Sequence, residues 1–325
     1  MSFLITGAQM GNKGAQSMLY VMVSELRERF PDKKIYFATA ESYDEKNYNF
    51  KKLACNSMTK RIAALEGNKR RVYYVKAFCR DLVAFFAGKK RCLWHYNDLL
   101  DIEDDLDAII DVSGFAIGDK WSTWSHESFF DIIRFAKRKD IPVYIMPQSF
   151  GPFNYSEKQM YLKSLVKEML EYPRIVFARE KSSYKNLVDI GLKKVSLVPD
   201  LVLQSKEINL KLVFKKNPVI KIPDISTENN VGIIPNSQCF KYGDEDKLLS
   251  LYRKIIDSLI EKKCNVYIFR HSSEDYDVCK TIYKPYENVK QVKMIDHNFS
   301  SLEYSQFIIN FNYIICIFNF LFSSS

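Results

Sequence analysis

Short apolar runs alternate with amphipathic stretches from the first residues onward. "SFLIT" (2–6) is apolar and stops at Gly7, and residues 14–30 follow with Leu19, Val23, Leu26 and Phe30 at helical spacing, expected to face inward. "KIYFATA" (34–40), "LDAIIDVSG" (106–114), "IPVYIMPQS" (141–149), "RIVFARE" (174–180) and "KVSLVPD" (194–200) read as further strands. Helices are expected between them, at 122–139, near 156–171 and at 181–190. A long basic stretch, roughly 56–100, also reads as helical, although the pattern does not mark its breaks. Continuous apolar strands alternating with helices predict a parallel sheet covered on both faces.

Lys-rich sequence breaks the rhythm at 205–228, with Pro218, Pro223, Ser226 and Asn229–Asn230 close by. It reads as a linker or crossover. The alternation then resumes with "NVGIIPN" (230–236), a helix at 245–262, "CNVYIFRH" (264–271), a helix near 274–282, "VKQVKMI" (289–295), a helix at 300–309 and "NYIICIF". The expected organisation is therefore α/β: an N-terminal domain over 1–204, a linker or crossover over 205–229, and a C-terminal domain over 230–325. Two such domains in tandem would bind ligands in the cleft at the carboxyl ends of their strands.

A length of 325 residues suits two domains, and 47% hydrophobic with 27% charged residues suits a globular chain. The net charge of +9 would suit nucleic acid, an anionic membrane surface or small anions. The basic residues come in scattered runs, Lys69–Arg71, Lys89–Arg91, Lys137–Lys139 and Lys193–Lys194, with no zinc-finger or RNP-like pattern. Nucleic acid is therefore not the expected partner. Seven cysteines without CxxC or framework spacing speak against structural disulfides and a tetrahedral zinc site. No signal-peptide pattern opens the sequence, so a cytoplasmic protein is expected. The apolar run from Phe307 to Phe322 is shorter than the roughly 20 residues a bilayer span needs and is interrupted by asparagines. Residues 311–316 instead fit a further strand.

Several strand ends carry candidate chemistry. "GAQMGNKGAQSML" (7–19) places Gly7, Gly11, Asn12 and Gly14 between the first strand and first helix. Its backbone could face an anion or sugar hydroxyls, or could simply form a tight turn needing positive φ. The spacing matches neither GxGxxG nor the Walker pattern. "DVSGFAIGDKWSTWSH" (111–126) brings Trp121 and Trp124 into a loop as a candidate sugar-stacking wall. His126 there is a candidate proton donor or phosphate ligand, or else a helix cap. "MPQSFGPF" (146–153) presents Gln148 and Ser149 at a strand's carboxyl end. "FAREKSS" (177–183) puts Arg179 at the next, with Ser182 and Ser183 in the first helical turn. Such a guanidinium can hold carboxylate or phosphate, or form a salt bridge. Asp200 reads as a cap or junction tie. His271 and Asp275, in "FRHSSED" (269–275), are ligand contacts or parts of a packed loop. No GxSxG, HExxH, Cys–His nucleophile pair or EF-hand is present, and no metal site is expected.

Taken together, the Gly-Asn-x-Gly turn at Gly11–Gly14, Ser113-Gly114, "PQSFGPF" (147–153), "AREKSS" (178–183) and Pro199-Asp200 resemble the polysaccharide pyruvyl transferase family. The resemblance runs from residue 3 to about 315. It implies two Rossmann-like domains facing across a cleft, similar to GT-B glycosyltransferases. It also implies phosphoenolpyruvate as donor, with no further cofactor required, and a sugar diol of a surface polysaccharide or lipid-linked oligosaccharide as acceptor. Pyruvate ketal and phosphate would be the products, formed at the inner face of the membrane and compatible with peripheral association. Arg179 matches the family's donor-anion arginine, and Gly11, Asn12, Gly14, Gln148, Ser149, Ser183 and His271 would line the substrates. The chain departs from the family beyond Ile317, where an Arg-Tyr/Phe-His motif would be expected. A truncated, incomplete second domain is the expectation there. The alternatives are a GT-B-like transferase using a nucleotide-sugar donor, and a shortened member that binds ligand without turnover.

Overall fold

The computed structural model describes residues 1–88, 96–205, 207–226 and 228–317. The basic run Lys89–Arg91, Cys92 and the tail from 318 lie outside the described residues.

Strand β1 (Ser2–Thr6) is buried along its whole length, as a central strand of a covered parallel sheet must be. It leads through a glycine-containing turn into helix α1 (Lys13–Arg29), whose Leu19 and Val23 are fully buried. Phe30 departs from its expected inward position. The helix ends at Arg29, and Phe30 is 43% exposed with its ring 5.2 Å from that of Phe3. Strands β2 (Lys34–Thr39) and β3 (Lys51–Ala54) follow. The long helical stretch then divides. Asn56 accepts hydrogen bonds from the amides of Met58 and Thr59 in a capping box that opens α2 (Ser57–Ala64). A turn at Leu65–Glu66 separates it from α3 (Gly67–Phe86), and the short α4 (Asp98–Asp101) comes later.

The rest of this first unit comprises β4 (Leu106–Asp111), β5 (Phe115–Ile117), α5 (Thr123–Arg138), β6 (Val143–Phe150) and α6 (Tyr161–Leu170). It continues with β7 (Ile175–Ala178), α7 (Lys181–Asp189), β8 (Val195–Leu197), α8 (Leu201–Gln204) and α9 (Leu210–Val213). The sheet order is β3-β2-β1-β4-β6-β7-β8, with β5 paired to β6, and every pairing is parallel. Successive crossovers therefore run in opposite directions from β1 and β4. Their neighbouring carboxyl ends form the switch point where doubly wound sheets bind ligands.

The chain separates into two compact units, Met1–Met10 with Ala15–Asn217, and Gly11–Gly14 with Pro218–Ser325. The second contains β9 (Asn230–Ile234), α10 (Ser237–Tyr242), α11 (Glu245–Glu261), β10 (Asn265–Phe269), α12 (Tyr276–Tyr283), β11 (Val292–Ile295), α13 (Ser301–Ile308) and β12 (Tyr313–Cys316). Its parallel sheet has the order β11-β10-β9-β12. Residues 313–316 thus do form the further strand expected near 311–316. No described helix is long and apolar enough to cross a membrane.

Candidate functional site

A connected polar cluster sits at the carboxyl ends of β1, β4, β6 and β7 in the first unit. Asp111, the last residue of β4, is only 6% exposed. It accepts hydrogen bonds from Thr6 Oγ1 (2.9 Å), Ser113 Oγ (2.9 Å), the Ser113 amide (3.2 Å) and Gln148 Nε2 (3.2 Å). In the ionised form these four bonds use the lone-pair capacity of both oxygens; a proton held there would be donated to the Thr6 or Ser113 hydroxyl. Asp111 therefore fastens β1, β4 and β6 together. Burial pushes its carboxyl above the usual carboxylate range, against the pull of Ser113 and Thr6.

Gly7 makes that tie sterically feasible. Its φ is +86°, and a Cβ there would stand 2.1 Å from Ser113 Oγ and 2.7 Å from the Ser113 amide nitrogen. Only glycine fits both the left-handed backbone and the close approach. This is the positive-φ residue of the first turn; Gly11 and Gly14 have no such requirement. Gly11 and Asn12 are exposed in that turn, and Gly14 lies in the first turn of α1.

One strand further, β6 and β7 position a second group. Gln148 is fully buried, and its Oε1 has no hydrogen-bond partner among the described residues. Ser149 Oγ accepts from Arg179 Nε at 2.8 Å and donates to Glu180 Oε2 at 3.2 Å. The same Glu180 carboxylate accepts from Ser183 Oγ, which in turn receives the Phe150 amide at 2.7 Å. The Arg179 side chain is about one-third exposed. Its Nη1 donates to Asp200 Oδ2 at 3.1 Å, while Asp200 Oδ1 caps α8 through the Val202 amide. Two of the five guanidinium donors are thereby committed, and no described hydrogen bond engages Nη2. An oriented, partly solvated cation of this kind is suited to a carboxylate or phosphate.

A cavity of about 230 Å³ opens beside Asp111. Gly7, Gln9, Lys60, Ser113, Trp121 and Trp124 are among its lining residues. Phe115 and Trp121 meet nearly edge-on, with centroids 5.6 Å apart, so aromatic faces stand next to hydroxyl, amide and ammonium groups. Apolar walls with a few polar groups are the usual make-up of a small-molecule site.

The structure thus brings Gln148, Ser149, Arg179 and Ser183 into one cluster. His126 is elsewhere. It is fully buried in the first turn of α5, with Nδ1 2.9 Å from the Ser122 carbonyl and Nε2 2.8 Å from Tyr155 Oη. Both ring nitrogens are thus engaged inside the core, away from the Arg179 cluster. His271 belongs to the second unit, in the loop after β10. Its ring lies 5.2 Å from that of Tyr304, and burial lowers its pKa. Asp275 accepts from the Ser237 amide (2.8 Å) and from Ser272 Oγ (2.9 Å), which makes that loop a packed one. Asp111, Thr6, Glu180 and Lys60 also belong to this region, and no motif in the sequence singles them out. The usable signal for Asp111 was an acidic residue at the end of an otherwise apolar strand. Among the described residues no cluster of three or more His, Cys, Asp or Glu side chains could hold a metal ion.

Comparison with known proteins adds a family and a fold. No curated protein matches the sequence. Among solved structures, UDP-GlcNAc 2-epimerase from Methanocaldococcus jannaschii is similar with a TM-score of 0.55 at 11% identity, over 97% of this chain and 78% of that one. UDP-GlcNAc 2-epimerase from Neisseria meningitidis gives 0.48 at 12% identity, over 97% and 77%. At such identity the first likeness speaks for the fold alone, an α/β fold of GT-B-like type. The sequence model of polysaccharide pyruvyl transferases matches residues 12–317. That span takes in Gln148, Ser149, Arg179, Glu180, Ser183 and Asp200, and the chain belongs to the polysaccharide pyruvyl transferase family.

Proposed function

We propose that this chain transfers the pyruvyl group of phosphoenolpyruvate to two hydroxyls of one sugar, forming a cyclic ketal and releasing phosphate. The carrying observation is Arg179, held at a strand end by Ser149 and Asp200 with Nη2 unengaged among the described residues, inside the span matched by the family model.

The balance of the reaction sets what the site must do. A proton adds to the donor's methylene carbon, turning it into a methyl group and leaving an oxocarbenium-like centre. One sugar hydroxyl attacks that centre and loses its proton. The C–O bond to phosphate breaks, the second hydroxyl closes the ring, and hydrogen phosphate leaves. One proton is taken up at carbon, two are released from the hydroxyls, and phosphate carries one away. Stabilising the donor's carboxylate and the departing phosphate calls for a fixed cation, the role assigned to Arg179. Glu180 and Asp200 are the acid–base groups in contact with it, and Glu180 is tied to the hydroxyls of Ser149 and Ser183. The reading requires no metal or further cofactor.

The acceptor sugar occupies the cavity walled by Trp121 and Trp124. Aromatic faces suit the apolar face of a sugar ring, while Ser113, Gln9 and Lys60 supply hydrogen bonds to its hydroxyls. The acceptor is a polysaccharide precursor, free or lipid-linked.

Calorimetric titration of the purified chain with phosphoenolpyruvate and with UDP-sugars discriminates donor classes. Binding of phosphoenolpyruvate, weakened at least tenfold by Arg179→Ala, is expected. Binding of UDP-sugars with none of phosphoenolpyruvate would replace this reading with a nucleotide-sugar transferase.

A further inference from the structure

Helix α3 carries a feature the transferase reading does not use. At 3.6 residues per turn its twenty residues divide into three lengthwise stripes. Ala77, Asp81 and Ala84 face inward and are buried, and Asp81 is bound by Arg80 and the Tyr96 hydroxyl. On the opposite side Val72, Val75, Phe78, Leu82, Val83 and Phe86 are all exposed, from 37% for Leu82 to 79% for Phe86. Lys69, Lys76 and Arg80 run along one edge of that apolar stripe, and Arg71 is exposed at its start. The helix holds five basic residues and a single acidic one, the buried Asp81.

A soluble domain rarely leaves so many large apolar side chains in one row on a helix. What covers them is indicated by the charge beside them. A second copy of the same face would bring like charges together. A nucleic acid would satisfy the charges and leave the valines and phenylalanines in water. An anionic lipid surface satisfies both: acyl chains receive the apolar stripe, and headgroups meet the basic edge.

We propose that α3 is a membrane-docking helix that lies in the headgroup region of an anionic bilayer. Lys69 and Lys76 contact lipid phosphates, and Val75, Leu82, Val83 and Phe86 insert below them. The assignment is independent of the reaction catalysed.

The test is co-sedimentation of the full chain with vesicles of phosphatidylcholine alone or mixed with phosphatidylglycerol. Expected is binding to mixed vesicles, at least tenfold weaker with phosphatidylcholine alone, and falling as salt is raised. Lys69→Glu with Lys76→Glu, and separately Val75→Asp with Leu82→Asp, should each lower it at least tenfold. All four sites are exposed, so melting temperatures should stay within a few degrees of the parent. The charge pair keeps the test decisive should the apolar pair unfold the chain. Absence of binding to mixed vesicles, or binding indifferent to the charge pair, overturns the proposal. So does sedimentation velocity showing a dimer that Val75→Asp with Leu82→Asp dissolves.

Discussion

Arg179 Nη1 lies 3.1 Å from Asp200 Oδ2, which fixes the guanidinium between the end of β7 and the start of α8. A second bond from Nε to Ser149 Oγ prevents it from swinging. Removing the charge with Arg179→Ala should lower kcat/KM for phosphoenolpyruvate by about 10²- to 10³-fold, the scale for losing one positioned transition-state donor. Arg179→Lys should recover little, because an ammonium cannot reach both anchors and an anion. Steady-state phosphate release measures both. Equal activity in parent and alanine variant would remove Arg179 from the site.

His126 gives the opposite expectation. Its replacement by Phe strands the Tyr155 hydroxyl in the core and should cost about 1–3 kcal/mol of stability. At a temperature where the variant is folded, kcat should stay within about threefold of the parent on that structural account. Thermal melts and turnover on the same sample separate the two effects. A large loss of kcat with an unchanged melt would return His126 to the chemistry.

The close approach at Gly7 predicts intolerance of any side chain. Gly7→Ala should destabilise the chain by more than about 2 kcal/mol, through both the strained backbone and the collision with Ser113. Denaturant melts check this; a loss under about 0.5 kcal/mol would mean that the turn relaxes freely.

Asp111 predicts a pH trend. Burial holds its carboxyl above the usual value in the folded chain, so the folded state keeps its proton where the unfolded state has lost it. Stability from this group is full below the ordinary carboxylate range and falls as pH rises through the raised value. Asp111→Asn removes the titration, and rotation of Gln148 can offer its unpartnered Oε1 to the new amide. The melting temperature of the variant minus that of the parent should therefore increase from about pH 4 to pH 8. A flat or falling difference contradicts the burial argument.

Much of the fold was legible because central parallel strands are apolar on both faces; Ser2–Thr6 and Leu106–Asp111 are buried nearly throughout. β3 and β5 were not, being four and three residues long at places where no periodicity can develop. Phe30 misled because it continues the helical spacing one residue past the end of α1. Within the candidate cluster, Gln148, Ser149 and Arg179 were readable from their position just after apolar runs. His126 was not, since a histidine between tryptophans and a helix looks the same whether the first helical turn points it outward or, as here, inward. Asp111 and Glu180 depend on partners 105 and about 30 residues away along the chain, which no local pattern encodes.

The central claim, pyruvyl transfer, is tested most directly by proton NMR of the purified chain with phosphoenolpyruvate and diol-containing oligosaccharides in deuterium oxide. The account predicts a ketal methyl group carrying one deuterium, formed in step with an equal amount of phosphate and lost in Arg179→Ala. Phosphate released without ketal, or phosphoenolpyruvate left unchanged across a panel of acceptors, would contradict it.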